Sequence, residues 1–143
     1  MTGRSVVEAA RFRGRCLCDA IRFRVGGTAT NRCYCHCRSC RLASGAPFVA
    51  WATFPAREFE IVRGELATYR SSQQVVRGFC RACGTALTYA HEARREELDV
   101  ALAALDDATS LGPECHIWVS HKLPWLEIGD TLPRHAEWRR GSG

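Results

Sequence analysis

The sequence predicts an all-β domain, a sandwich or barrel-like fold. Three observations carry this. Apolar residues alternate with polar ones in short runs, the period of a half-buried strand. Gly and Pro break those runs at short intervals. No stretch keeps a 3.6-residue apolar period long enough for a sizeable helix.

The first clear strand is AIRFRV (20–25), with Ile21, Phe23 and Val25 on one face and Arg22 and Arg24 on the other. PFVAWATF (47–54) is rich in aromatic residues and bounded by Pro47 and Pro55. FEIV (59–62), LATYR (66–70), VVRGFC (75–80) and TALTYA (85–90) follow closely. ELDVALAAL (97–105) alternates Leu98, Val100 and Leu102 with smaller or polar residues. HIWVS (116–120) and WLEI (125–128) complete the strands. RSCRLASG (38–45) and DDATSL (106–111) read as short helical turns. No linker, repeat or low-complexity segment divides the chain, so 1–143 reads as one domain with a frayed RRGSG tail. That length suffices to bury a core.

No apolar run approaches the roughly 18 residues of a membrane span. The start, MTGRSVVEAARFRGRC, has no apolar signal region, so the expected location is the cytoplasm. Cysteines in a reducing compartment read as metal ligands or reactive thiols. There are nine, an odd number, which excludes complete internal pairing.

The nine fall into patterns. CLC supplies Cys16 and Cys18; CRACG supplies Cys80 and Cys83. A C-x-x-C turn aims two thiolates at one ion, with zinc–sulfur bonds of about 2.3 Å. Gly84 after it suits a tight turn. A C-x-C pair in extended chain puts both side chains on one face. The two pairs together make a four-thiolate tetrahedron, Cys16, Cys18, Cys80 and Cys83. A closed site of this kind is structural. It ties the first hairpin to a distant strand, so metal binding becomes folding free energy.

CHCRSC leaves three thiolates, Cys35, Cys37 and Cys40. Three protein ligands with one open position is the arrangement of a catalytic zinc. In extended chain Cys33 would lie ~13 Å from Cys37, too far to share its ion. A sharp bend would make it a fourth ligand instead. The plainer expectation is a small, partly buried neighbour. Cys115 likewise reads as a packed strand residue.

GRCLCDAIRFRV, CHCRSCRLASGAPFVAW, GFCRACGTALTY and PECHIWVSHKLPWLEI, in that order, resemble the glutathione-dependent formaldehyde-activating enzyme family. The resemblance covers about residues 12–133. It implies a twisted two-sheet β-tent built around a zinc-ribbon-like site. It implies a structural zinc on Cys16, Cys18, Cys80 and Cys83, and a second zinc on Cys35, Cys37 and Cys40, two ions per chain. The implied activity is that of a carbon–sulfur lyase, S-(hydroxymethyl)glutathione synthase, which joins formaldehyde reversibly to the glutathione thiol. The family also holds centromere protein V-like domains without a clear enzymatic role.

Around the second motif, two readings compete at each residue. His36, between two ligands, faces away from them in extended chain. Arg38 and Arg41 flank Cys40. They are either solvated helix charges or the cations that offset an anionic thiolate cluster and attract an acidic thiol. His116 and Trp118 share a strand face, packed in the core or walling a pocket. Phe48 and Trp51 read as core; His91, His121 and His135 read as surface.

The formal charge of +5 counts every cysteine as neutral. Seven coordinating thiolates and two zinc ions bring it to about +2. That, with no concentrated basic stripe, argues against nucleic acid. Three readings remain: a zinc enzyme acting on a thiol and a small aldehyde, a zinc-stabilised binding module for protein or nucleic acid, and a zinc-stapled domain whose second site is closed. Water or an exogenous thiol as fourth ligand on Cys35, Cys37 and Cys40 would support the first; a side chain closing the site would support the other two.

Overall fold

A computed structural model describes residues 11–139. They form the two-sheet, all-β arrangement that the sequence predicts, with one short helix. The small sheet is β1 (Phe12–Arg15), β2 (Arg22–Val25) and β5 (Phe59–Arg63), in the order β1-β2-β5. The large sheet contains β3 (Thr30–Cys35), β4 (Val49–Pro55), β6 (Ala67–Ser72), β7 (Val75–Phe79), β8 (Ala86–His91), β9 (Glu97–Ala101) and β10 (Cys115–Ile117). Its order is β10-β3-β4-β9-β8-β7-β6, and only β10 beside β3 is parallel. Helix α1 spans Arg38–Ser44 and ends on Gly45, whose φ of 68° lets its N–H reach the Arg41 carbonyl.

The alternation in β2 decides where the core sits. Ile21, Phe23 and Val25 are buried and meet Phe54, Leu87, Val100 and Leu102 between the sheets. Each such side chain contributes about 1.5–3 kcal/mol by leaving water. Arg22 and Arg24 face out and pair with Asp19 and Glu60 at 2.7 and 2.8 Å. These exposed pairs add little. Gly14 permits the close approach of the sheets: a Cβ there would strike the Phe23 ring and come within 2.7 Å of the Ala104 carbonyl.

Several elements differ from the sequence expectation. β1 and β3 are strands that the alternation did not mark. The 97–105 run is a strand only to Ala101, the last residue paired with β4; Leu102–Ala104 then make a 3-10 turn that buries Leu102. The 116–120 run stops at Ile117, because Trp118 turns the chain with φ 57°. WLEI is not a strand. The free side of β10 is taken by residues 133–137, which bond His116 and Trp118. Lys122 meanwhile holds 122–126 in a turn, donating to the Leu123 and Leu126 carbonyls. The 106–111 run contains a 3-10 turn only at Thr109–Leu111. Of the RRGSG tail, 140–143 lie outside the described residues. Among the described residues, no helix is long and apolar enough to cross a membrane.

Candidate functional site

Two hairpin turns build the first cysteine cluster. Cys16 and Cys18 lie between β1 and β2, and Cys80 and Cys83 between β7 and β8. Their sulfurs lie within 4.8 Å of one another. Cys16–Cys18 and Cys18–Cys80 sulfur separations are 3.7 and 3.8 Å. Ligands ~2.3 Å from a tetrahedral zinc stand about 3.8 Å apart, so the donors fit that ion. Backbone donors turn the sulfurs inward: Ile21 N–H reaches Cys16 at 3.3 Å and Cys83 N–H reaches Cys80 at 3.4 Å. Gly84, at φ 82°, closes the turn through its N–H to the Cys80 carbonyl. The Thr85 hydroxyl helps most to hold the Cys83 thiol down, to about 5.

The second cluster forms where β3 meets α1. Cys35 ends β3, Cys37 caps α1 and Cys40 lies in its first turn. Cys37 sulfur accepts the Cys40 N–H at 3.3 Å, which repeats the Cys80–Cys83 geometry. The three sulfurs lie within 4.8 Å of one another, and among the described residues no fourth Cys, His, Asp or Glu joins them. Hydrogen bonds from Cys35, then Cys40, pull the Cys37 thiol far below its usual range, and the Cys40 N–H and Arg77 add to this. Hydrogen bonds with Cys37, then Cys40, together with burial, push the Cys35 thiol up.

These sulfurs open onto a cavity of about 630 Å³. Trp51, Tyr89, Trp118 and Trp138 supply aromatic wall. Arg38, Arg77, Arg94 and Arg139 line it against one carboxylate, Asp99. Arg94 is held by Glu97 and Asp99 at 2.8 and 3.3 Å. Asp99 also accepts from the Thr53 hydroxyl. Burial pushes its carboxyl up, and the Thr53 and Arg94 contacts oppose this. The sheet explains the grouping: Arg77–Tyr89, Tyr89–Asp99 and Asp99–Thr53 are successive register partners across β7, β8, β9 and β4. One row of side chains therefore reaches one cavity.

Arg38 lines this cavity, and its backbone N–H donates to His121. Arg41 does not line it; its Nε is buried without a hydrogen-bond partner. Arg77, which the sequence reading passed over, reaches the cluster instead, with Nη1 3.7 Å from the Cys40 sulfur. His121 is exposed, as expected, and His91 is half-buried; both also line the cavity. Trp51 is buried, as expected of core, yet also forms cavity wall. Phe48 packs on Tyr34 and His36.

His36 does face away from the thiols. It is fully buried behind them, 2.9 Å from His116 Nδ1. His116 Nε2–H donates to Asp130 at 2.9 Å, and its Nδ1 shares the hydrogen bond with His36 Nε2. Burial, aided by His116, lowers the His36 imidazole to about 4. This chain of hydrogen bonds pins the cysteine loop to the C-terminal segment. His116 and Trp118 do not share a face, because the strand ends between them.

Cys33 lies on β3 beside Cys115, and both are buried. Burial first, then the Cys115 neighbour, keeps the Cys33 thiol protonated. Cys33→Ala is expected to leave metal content unchanged and to cost about 1 kcal/mol in lost contacts. Metal analysis beside thermal melting checks this; loss of one metal equivalent would make Cys33 a ligand.

A two-sheet β protein with two cysteine clusters able to hold metal, one of them open to a cavity, defines the class. The chain belongs to the glutathione-dependent formaldehyde-activating enzyme family, whose model matches residues 11–121. An uncharacterized lyase of Schizosaccharomyces pombe is 32% identical over 81 residues, 56% of this chain and 58% of the relative. The chain thus matches little more than half the length of that curated relative. A crystal structure of a Rhodobacter sphaeroides protein is similar at 28% identity and a TM-score of 0.55, covering 66% of this chain and 87% of that one.

Proposed function

We propose that this protein is a zinc-dependent carbon–sulfur lyase that reversibly joins formaldehyde, or another small aldehyde, to the thiol of glutathione. One observation supports the reading above all: three convergent thiols, with no fourth side-chain ligand among the described residues, line a cavity large enough for a small thiol. Cys35, Cys37 and Cys40 are the proposed holders of the reaction-site zinc, and Cys16, Cys18, Cys80 and Cys83 of a structural one. Zinc held by three thiolates supplies an open position that favours the ionised, nucleophilic form of a thiol. With three thiolates the centre would carry a net charge of minus one and would polarise an aldehyde only weakly.

The chain's own residues then bind and orient. Arg38 offers positive charge to the carboxylates of glutathione; Arg41, outside the cavity lining, is dropped from that role. The sulfur–carbon bond forms as the carbonyl π bond breaks, and the new alkoxide oxygen takes a proton from solvent, balancing the one that the thiol gives up on binding. The proposed setting is the cytoplasm, where thiols stay reduced.

Calorimetry tests the reading. Glutathione is titrated into metal-replete protein in two buffers of different ionisation enthalpy. Binding is expected to release close to one proton, because free thiols have pKa near 8.5. Arg38→Gln is expected to weaken binding by about fivefold or less, an effect that fades with salt. Absence of thiol binding would defeat the enzyme reading and favour a zinc-stabilised binding module.

A further inference from the structure

Arg77 is bound on every side. Its Nη1 and Nη2 lie 3.7 and 3.8 Å from the Cys40 sulfur, within reach of N–H···S bonds. Its Nε–H donates to the Ser71 hydroxyl at 3.2 Å. Its guanidinium lies over the Tyr89 ring, 5.1 Å from the centroid. The backbone beneath is a sheet interior, with Tyr69 and Tyr89 as register partners on β6 and β8. A half-buried arginine held on its two ring and hydroxyl contacts has little freedom left, and the fork that remains points at a sulfur.

We infer that Arg77 is a positioning residue of the three-cysteine centre, which holds metal there by stabilising the thiolate of Cys40. The physical reason is charge. Three thiolates around a divalent ion carry a net minus one in a site walled by aromatic rings. A guanidinium donating two N–H groups to one sulfur offsets that charge and fixes the ligand's direction. Arg94 is engaged by two carboxylates, and Arg41 lies outside the cavity lining. Arg38 and Arg139 also line the cavity, but it is Arg77 whose two terminal nitrogens lie within reach of the Cys40 sulfur, which places it for this task. The inference rests on the three cysteines being a metal centre, as proposed above, and not on the reaction assigned to it.

The test is zinc affinity, measured by competition with a chromophoric chelator on the full chain. Partners of metal ligands typically account for 10- to 100-fold in affinity. Arg77→Gln should weaken one of two zinc sites by that factor and leave the other unchanged. Cobalt in place of zinc gives a second readout: the sulfur-to-cobalt absorption band should shift in Arg77→Gln. Arg77→Lys, which keeps charge but loses the fork, should fall between the two in affinity. An Arg77→Gln protein with wild-type affinity and an unshifted cobalt band overturns the inference, as does equal weakening of both sites. Should the Gln variant fail to fold, a Lys variant with the wild-type band and affinity overturns it. A wild-type chain that takes up one zinc overturns this inference and the reading of the centre together. Two zinc ions without thiol binding defeat the reaction alone.

Discussion

Cys80→Ser is expected to empty the four-cysteine cluster of metal and to unfold the domain. Cys80 is 1% exposed and belongs, with Cys16, to the core between the sheets. The cluster ties the β1–β2 turn of the small sheet to the β7–β8 turn of the large one. Structural zinc in small domains is worth about 10–16 kcal/mol. Whole domains are stable by about 5–15 kcal/mol. The first quantity covers the second, so losing one ligand from a closed set leaves too little to hold the sheets together. Zinc content and thermal melting of the variant, beside wild type treated with a chelator, measure the effect. A native-like melt with one zinc fewer would show that the cluster is not structural.

The ligand pattern was legible because it is local. Cys37 and Cys80 each take the N–H of the cysteine three residues on, so a C-x-x-C sequence fixes its own geometry. The C-x-C pairs need only a turn or a strand end. The pairing of CLC with CRAC followed from counting ligands. The strands of the core were legible where one face is buried, as in Ile21, Phe23 and Val25.

What stayed hidden depends on which strand lies beside which. β3 carries Cys33 and Cys35 on its buried face, so its apolar face was read as one ligand with a buried neighbour and not as strand. Its parallel partner β10 comes from the far end of the chain. Arg77 in VVRGFC looks like any solvated strand arginine. It becomes a neighbour of Cys40 only when the order β3-β4-β9-β8-β7 curves one sheet around a cavity. The same ordering brings Tyr89, Asp99 and Thr53 into one row. WLEI failed for a related reason: alternation marks a strand only where an edge is free to receive it, and residues 133–137 occupy that edge.

Cys37→Ala is expected to abolish thiol binding and the proposed reaction while the fold persists. Cys37 lies between the other two ligands in the chain and caps α1, so its sulfur serves the cluster and the helix together. Two remaining thiols cannot hold an ion that must also leave a position open to substrate. One zinc equivalent should be lost. The cost to the fold is small by comparison. Losing a helix cap removes about 1 kcal/mol, and α1 is only seven residues long. Against a total of about 5–15 kcal/mol the domain remains folded. The melting temperature should fall by only a few degrees. Metal analysis should give one zinc per chain, retained by Cys16, Cys18, Cys80 and Cys83. Calorimetry with glutathione should give no heat above dilution, and carbon-13 NMR of labelled formaldehyde with glutathione should show no acceleration of adduct formation over the uncatalysed rate. A variant that binds glutathione with wild-type affinity would place the thiol elsewhere in the cavity. A variant that binds none but still accelerates the addition would separate the reaction from the three-cysteine centre altogether.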